Sequence, residues 1–410
     1  MSEPTPAQIA DELKSKRPIV LSARPALAEP AAAPDADEEW PLPGGTAWVY
    51  YGKGHKQLVK PFITADGFNS GPSKLGELWE YLEGGAYRFI SRLRERGYDV
   101  IIVGFDERSA SILDNSRVAR EAIMRAIAQR TGDAPLKVGG FSMGGLVTRH
   151  ALAKMESEHI DHQTDLYFSY DSPHRGAWIP IALQAFAHYI RDLDSRFSDQ
   201  INSPAAQQLL WRHIPEWDST PEQSQQRTAF LQEMERIGEW PMRPRKIAVA
   251  NGVGTGAGNG INPSDLAVEG KGLSVSGTKL YTQASGSKEL VAKLRVVTLK
   301  TNEVRTSGLP AIDGAPGGTL EGFGILADGL NELNPWLGFK TDVPIRSHCF
   351  VPAVSAVDIR DVATDQDLYA PIDDMSPGDS RLDDFKLASQ NEGHTLVTEE
   401  LCSWIIERLG

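Results

Sequence analysis

The chain has 410 residues, 40% of them apolar and 24% charged, and a formal net charge of −13. That length and usage describe a folded chain with a sizeable core, either two or three domains or one large domain with insertions, and they exclude global disorder. An acidic balance without a basic patch argues against a nucleic acid partner or an anionic lipid surface, since both repel such a chain.

Cys349 and Cys402 make neither a disulfide framework nor a zinc ligand set, and are read as reduced or buried thiols. No run is long and apolar enough to span a bilayer. Met1 to Asp11 carries Glu3 and Asp11, and the Ala/Pro-rich stretch from Pro18 to Ala33 is broken by Arg24 and Glu29. Neither resembles a secretory signal, so a cytoplasmic protein is expected.

Residues 1–45 read as a flexible extension rich in Pro, Ala, Asp and Glu. Order is expected from Thr46. Residues 47–51 and 57–64 read as two strands of a hairpin around Gly52-Lys53-Gly54. A loop, Asp66 to Pro72, leads to a helix over 73–96 that breaks at Gly84-Gly85. Asp99 to Phe105 is a continuous apolar run, the pattern of a parallel strand buried on both faces. A helix over 116–131, a strand over 136–141, a helix over 142–155 and a strand over 166–170 follow. This alternation implies an α/β fold with a mostly parallel sheet flanked by helices.

Residues 178–245 interrupt the alternation as a helical insertion with many aromatic residues, and the sheet resumes at 246–251. Gly252 to Gly260 reads as a mobile loop at the rim of the site, since no helix follows to make it a dinucleotide loop. Alternating residues within about 265–340 suggest a small β-rich insertion. Residues 348–357 read as a late strand of the main sheet and 396–409 as a closing helix. The expected organisation is therefore an extension (1–45), the first part of the core (46–177), a helical lid or cap (178–245) and the second part of the core (246–410).

The chemistry concentrates at Gly140-Phe141-Ser142-Met143-Gly144, a G-x-S-x-G pentapeptide. Val138 and Gly139 end a strand before it and Leu146-Val147-Thr148 opens a helix after it. That strand–turn–helix setting is the one a nucleophile elbow requires: a strained serine, and small neighbours two residues away so that strand and helix can approach. A serine hydroxyl is a weak nucleophile and needs a base.

On these residues the chain resembles the α/β-hydrolase superfamily, in particular its lipases and esterases, over 46–177 and more loosely over 246–252 and 346–410. The resemblance implies that the histidine comes last, in a loop before the final helix, where His394 stands after Gly393. His174, in Pro173-His174-Arg175-Gly176, is the rival base. The acid often follows the strand two after the nucleophile strand, but no carboxylate stands in the loop from Asn251 to Gly256. Pancreatic-type lipases carry it one strand earlier, which points to Asp171; Asp358 is the alternative. The oxyanion hole would take the N–H groups of Met143 and Phe68, with Gly67 allowing the backbone shape.

The expected activity is that of a serine esterase cleaving apolar or bulky acyl esters through a Ser142-His394-Asp171 triad, with a small-molecule or lipid-like substrate and no metal or other cofactor. A thioesterase, an acyltransferase or a macrolactone-forming enzyme would use the same residues. An amidase or peptidase, and a non-catalytic binding protein, are further alternatives. Oligomeric state is not legible.

Overall fold

The computed structural model describes residues 4–23, 32–298 and 300–410. The part of the Ala/Pro-rich stretch that holds Arg24, Glu29 and Pro30 lies outside them. In chain order, α1 (Pro6–Ser15) precedes β1 (Glu38–Leu42), β2 (Gly45–Tyr50) and β3 (Pro61–Ala65). Then come α2 (Leu75–Glu83), α3 (Phe89–Glu95), β4 (Asp99–Phe105), α4 (Ile112–Gln129), β5 (Leu136–Phe141), α5 (Met143–Ser157) and β6 (Thr164–Tyr170). The helical insertion carries α6 (Ile181–Tyr189), α7 (Arg196–Ile201), α8 (Pro204–Leu209) and α9 (Gln225–Arg236) before β7 (Arg245–Ala250).

These strands belong to an eight-stranded sheet of order β1-β2-β4-β3-β5-β6-β7, completed by a late strand described below. β2 runs antiparallel to β1 and β4, whereas β4, β3, β5, β6 and β7 are parallel. Every residue of β3, β4 and β5 is buried. Ile101 and Val103 point to the face covered by α4 and α5, and Val100 and Ile102 to the face covered by α2 and α3. The strand period of two thus feeds two cores from one apolar run.

The expected hairpin between 47–51 and 57–64 does not form, because β4 lies between β2 and β3. The cause is Asp99, fully buried at the start of β4. Its carboxylate accepts the N–H groups of Gly52, Val59 and Lys60, each at 2.7 Å, and bonds His55 Nδ1 at 2.8 Å. The connection therefore wraps around the end of β4 instead of turning tightly.

The extension is corrected as well. Thr5 and Gln8 cap α1 reciprocally, and Ile9 and Leu13 are buried in the main core. β1 is the edge strand of the sheet, with Trp40 fully buried.

After β7, the strands β8 (Leu266–Gly270), β9 (Lys279–Tyr281), β10 (Glu289–Leu294) and β11 (Asn302–Thr306) build an antiparallel accessory sheet. β12 (Gly317–Leu320) and α10 (Gly322–Asn331) lead to β13 (Thr341–Asp342), which joins β8. β14 (His348–Pro352) pairs with β12 in a separate two-stranded ribbon, so the late strand expected over 348–357 is not part of the main sheet, and α11 (Ala353–Ala356) ends it. The last strand of the main sheet is β15 (Asp384–Leu387), parallel to β7, after α12 (Asp365–Leu368) and before α13 (Glu399–Glu407). β15 is half-exposed at the edge, so its four residues carry little apolar signal.

The Gly-rich loop is also packed rather than mobile at a rim. Gly254 O accepts the N–H of Ile372 at 2.6 Å, and a Cβ on Gly254 would lie 1.9 Å from Asp373 Oδ1. Among the described residues no helix is long and apolar enough to cross a membrane.

Buried histidines make this fold acid-sensitive. Burial pushes His150, His213 and His348 down to about 4. In the unfolded chain they titrate near the ordinary value of about 6.5. Between those values the unfolded state binds more protons, so their contribution is complete above about 6.5 and is lost as pH falls toward 4. The urea midpoint should therefore fall between pH 7 and 4.5. His348 gives Nδ1–H to Cys349 O at 2.7 Å, and its buried Nε2 has no partner among the described residues to receive a second proton. His348→Gln should make the loss shallower, by up to about 1.4 kcal/mol per pH unit; equal slopes would contradict this account.

Candidate active site

Ser142 stands between β5 and α5 with φ 53° and ψ −124°, a backbone conformation that L residues rarely adopt. The turn that holds it is too tight for side chains at its flanks. A Cβ on Gly140 would lie 2.4 Å from the Gly144 carbonyl carbon, and one on Gly144 would lie 2.2 Å from Ala65 O. The Ser142 N–H donates to Tyr170 O at 2.9 Å, which ties the turn to the end of β6.

The loop after β15 brings His394 to this serine. His394 Nε2 is 2.7 Å from Ser142 Oγ, and His394 Nδ1 is 2.6 Å from Asp171 Oδ2. Asp171 follows β6 directly, with φ 49° and no exposure to water. Its backbone N–H donates to Val249 O at 2.7 Å, and its Oδ1 accepts the N–H of Asn251 at 3.1 Å. The stretch Asn251 to Gly256 after β7, which has no carboxylate of its own, thus supplies a backbone donor to a carboxylate at the end of the neighbouring strand.

The β12–β14 ribbon fixes the imidazole. The His394 N–H donates to Thr319 O at 2.7 Å, and the ring meets Phe350 edge-on with centroids 4.8 Å apart. Gly318, on the same ribbon, passes so close to the acid that a Cβ there would lie 2.0 Å from Asp171 Oδ2.

Gly67 and Phe68 lie opposite the elbow. The Gly67 N–H is engaged by the side chain of Asp66 at 2.7 Å. Among the described residues no acceptor takes the N–H of Phe68 or of Met143. Gly67 contributes its lack of a side chain, since a Cβ would sit 3.3 Å from Ser142 Cβ.

The other two sequence candidates lie elsewhere. Asp358 accepts from Arg175 Nε at 2.8 Å and from Trp240 Nε1 at 3.1 Å, and does not reach His394. Its expected position rested on a main-sheet strand over 348–357 that does not exist. His174 Nε2 is 2.9 Å from Ser169 Oγ, with Nδ1 3.4 Å from Arg149. Burial, followed by the charges of Arg149 and Arg175, holds His174 well below the ordinary histidine range. Among the described residues no three His, Cys, Asp or Glu side chains cluster as metal ligands would.

The strand order, the antiparallel β2 and the strained serine between β5 and α5 decide the architecture. This is the α/β-hydrolase fold. Solved structures that are similar include a Bacillus licheniformis lipase in its mature form, 14% identical over 52% of this chain and 73% of that one, at a TM-score of 0.33. A Pyrobaculum calidifontis esterase is 11% identical over 52% of this chain and 65% of that one, with a TM-score of 0.32. Esterase B from Lactobacillus Rhamnosis is 12% identical over 50% and 60%, with a TM-score of 0.30. No protein-family model matches the chain, and no curated protein matches it.

Sequence reasoning missed Leu21, Ser22 and Ala23, which line the cleft beside Ser142 and His394, together with Phe350. The apolar run Ile19-Val20-Leu21 within an otherwise polar stretch was the one signal that pointed to them. It also missed Gly318, whose position is set by a ribbon remote from the elbow in sequence.

A methyl group at position 318 should dislodge the buried carboxylate. Gly318→Ala is expected to lower the reactivity of Ser142 toward a fluorophosphonate on the order of 10²-fold, as a misplacement of about 1 Å can, with circular dichroism unchanged. Unchanged labelling would show that the carboxylate does not govern the serine.

Proposed function

We propose that this chain is a serine hydrolase that cleaves carboxylic esters through an acyl-enzyme. One observation carries the reading: the unbroken hydrogen-bond chain from Ser142 Oγ through His394 to the buried Asp171.

Ser142 Oγ attacks the ester carbonyl as its proton passes to His394 Nε2. Asp171 accepts the Nδ1–H, which holds the tautomer and stabilises the imidazolium. The developing oxyanion takes hydrogen bonds from the N–H groups of Phe68 and Met143, at the positive end of α5. Collapse of the tetrahedral intermediate expels the alcohol, which leaves with the proton from His394. Water then attacks the acyl group, with His394 as base, and the second collapse releases the acid and restores the Ser142 hydroxyl.

An apolar hollow adjoins the cleft, walled by Ala177, Ile179, Ile201, Leu209, Leu210 and Phe350. It supports a preference for apolar acyl groups over charged ones. The walls come largely from the helical insertion, in keeping with a cap that shapes the acyl side of the site. A purely binding role gives no reason for a serine in strained backbone aligned with a buried His–Asp pair.

Hydrolysis of p-nitrophenyl butyrate and fluorophosphonate labelling of the full chain test the proposal. Ser142→Ala and His394→Ala should each lower kcat on the order of 10⁴-fold or more, and Asp171→Asn by about 10³–10⁴-fold. Wild-type protein that neither hydrolyses short esters nor takes the label would overturn the reading. Full activity of Asp171→Asn would remove Asp171 from the triad.

A further inference from the structure

Two hollows meet beside Ser142. One is the cleft that exposes Ser142 and His394, and the other is the apolar hollow of the insertion. Leu21, Phe68 and Phe350 line both. Phe68 belongs to the oxyanion loop, and Phe350 is held in β14 against the His394 ring. Phe350 sits in a strand, whereas Leu21, like Phe68, lies outside any helix or strand, on a segment remote from both in sequence.

That segment starts where α1 ends. Arg196, on the insertion, donates to Leu13 O at 2.7 Å and to Lys16 O at 3.1 Å. The chain then crosses the cleft. Leu21 N–H donates to Gln200 Oε1 at 3.1 Å, and Ser22 Oγ donates to Phe68 O at 3.2 Å. Asn69 Nδ2 donates to Ser22 Oγ at 3.2 Å. Residues 21 and 22 are thus tied to the insertion on one side and to the oxyanion loop on the other by side-chain hydrogen bonds. Of the remaining walls, Gln200, Ile201, Ala206 and Leu209 stand on α7 and α8 of the insertion, and Phe350 in the β14 ladder.

As the walls stand, each hollow has about 20 Å³ of free space, enough for a water molecule and too little for an acyl chain. Ser142 is partly exposed in the cleft, but an acyl chain can pass from it into the apolar hollow only if a wall moves. Segment 16–23 is joined to both neighbouring walls through side chains, and Leu21, 3% exposed, is the side chain it holds between nucleophile and hollow.

We propose that residues 16–23 are a strap that gates the cleft, and that Leu21 is a specificity-determining residue which sets how long an acyl chain passes from Ser142 into the apolar hollow. The proposal rests on the esterase reading for its substrate, and extends it to linear acyl esters graded by chain length.

Access to position 142 can be measured without catalysis. In the full-length Ser142→Cys variant, the rates of reaction with methyl and octyl methanethiosulfonate report the path, since both native thiols, Cys349 and Cys402, are fully buried. Adding Leu21→Ala should raise the octyl-to-methyl rate ratio at least tenfold, and Leu21→Trp should lower it. Gln200→Ala, which unties the strap without touching the relay, should speed both reagents severalfold. With Ser142 intact, Leu21→Ala should raise kcat/KM for p-nitrophenyl octanoate relative to acetate by a similar factor. If Leu21→Ala unfolds the chain, Leu21→Trp and Gln200→Ala still decide the matter. Ratios that do not move while esters are hydrolysed would overturn the strap and leave the esterase reading intact. Thiol ratios that move as stated in a protein that hydrolyses no ester would uphold the strap and overturn the esterase reading.

Discussion

Asp171 follows β6 with no exposure to water, and a carboxylate in that position must find its hydrogen-bond donors inside the protein. Its two oxygens take different partners. Oδ1 accepts the Asn251 N–H at the end of β7, and Oδ2 accepts from His394. To bring His394 there, the loop after β15 pairs with Thr319 on the β12–β14 ribbon, and that ribbon approaches so closely that position 318 has no room for a side chain. Much of the architecture of the second half of the chain can be understood as support for this one buried charge. Asn251 continues the same logic, donating from its side chain to Glu392 and to Leu396 O, on either side of the histidine.

The helical insertion is integrated into the core by a different device. Arg227 is buried, its guanidinium donating to Gln208 O at 2.7 Å, and burial pushes it down to about 10. Arg149 lies over the Trp240 ring at 3.7 Å and donates to Glu239 O at 2.8 Å. Both set a buried cation against backbone carbonyls, which locks the irregular backbone of the insertion where no sheet can satisfy it. Trp178, Phe186, Phe197, Trp211 and Trp240 are buried as core contacts. The insertion reaches the apolar hollow beside the cleft through its branched residues, Ile179, Ile201 and Leu209, and not through its large aromatics.

How legible the chain was depended on whether a feature is local. The elbow could be read because steric demands confine it to five consecutive residues, and the parallel strands because two-sided burial writes an unbroken apolar run. The region 57–64 illustrates the opposite case. Its apolar content suggested a hairpin partner for residues 47–51, but a buried aspartate much further along the chain, Asp99, organises that connection. Residues 348–357 were expected in the main sheet and β15 was not foreseen, for a related reason. A half-exposed edge strand of four residues carries less signal than a buried strand that belongs to another sheet.

The amino-acid sequence by itself determined the strand–helix alternation, the strained serine turn and the candidate histidine before the last helix, because each follows from periodicity or from sterics within a few residues. The tertiary structure alone decided which carboxylate faces His394, since Asp171 and Asp358 both follow apolar runs and differ in what the remote ribbon and Arg175 place beside them. It also decided that residues 21–23 contribute to the cleft. The apolar side chains Ile9, Leu13 and Leu21 gain burial from the core, the insertion and the loop at Gly67 and Phe68, surfaces that exist only once the rest of the chain has folded.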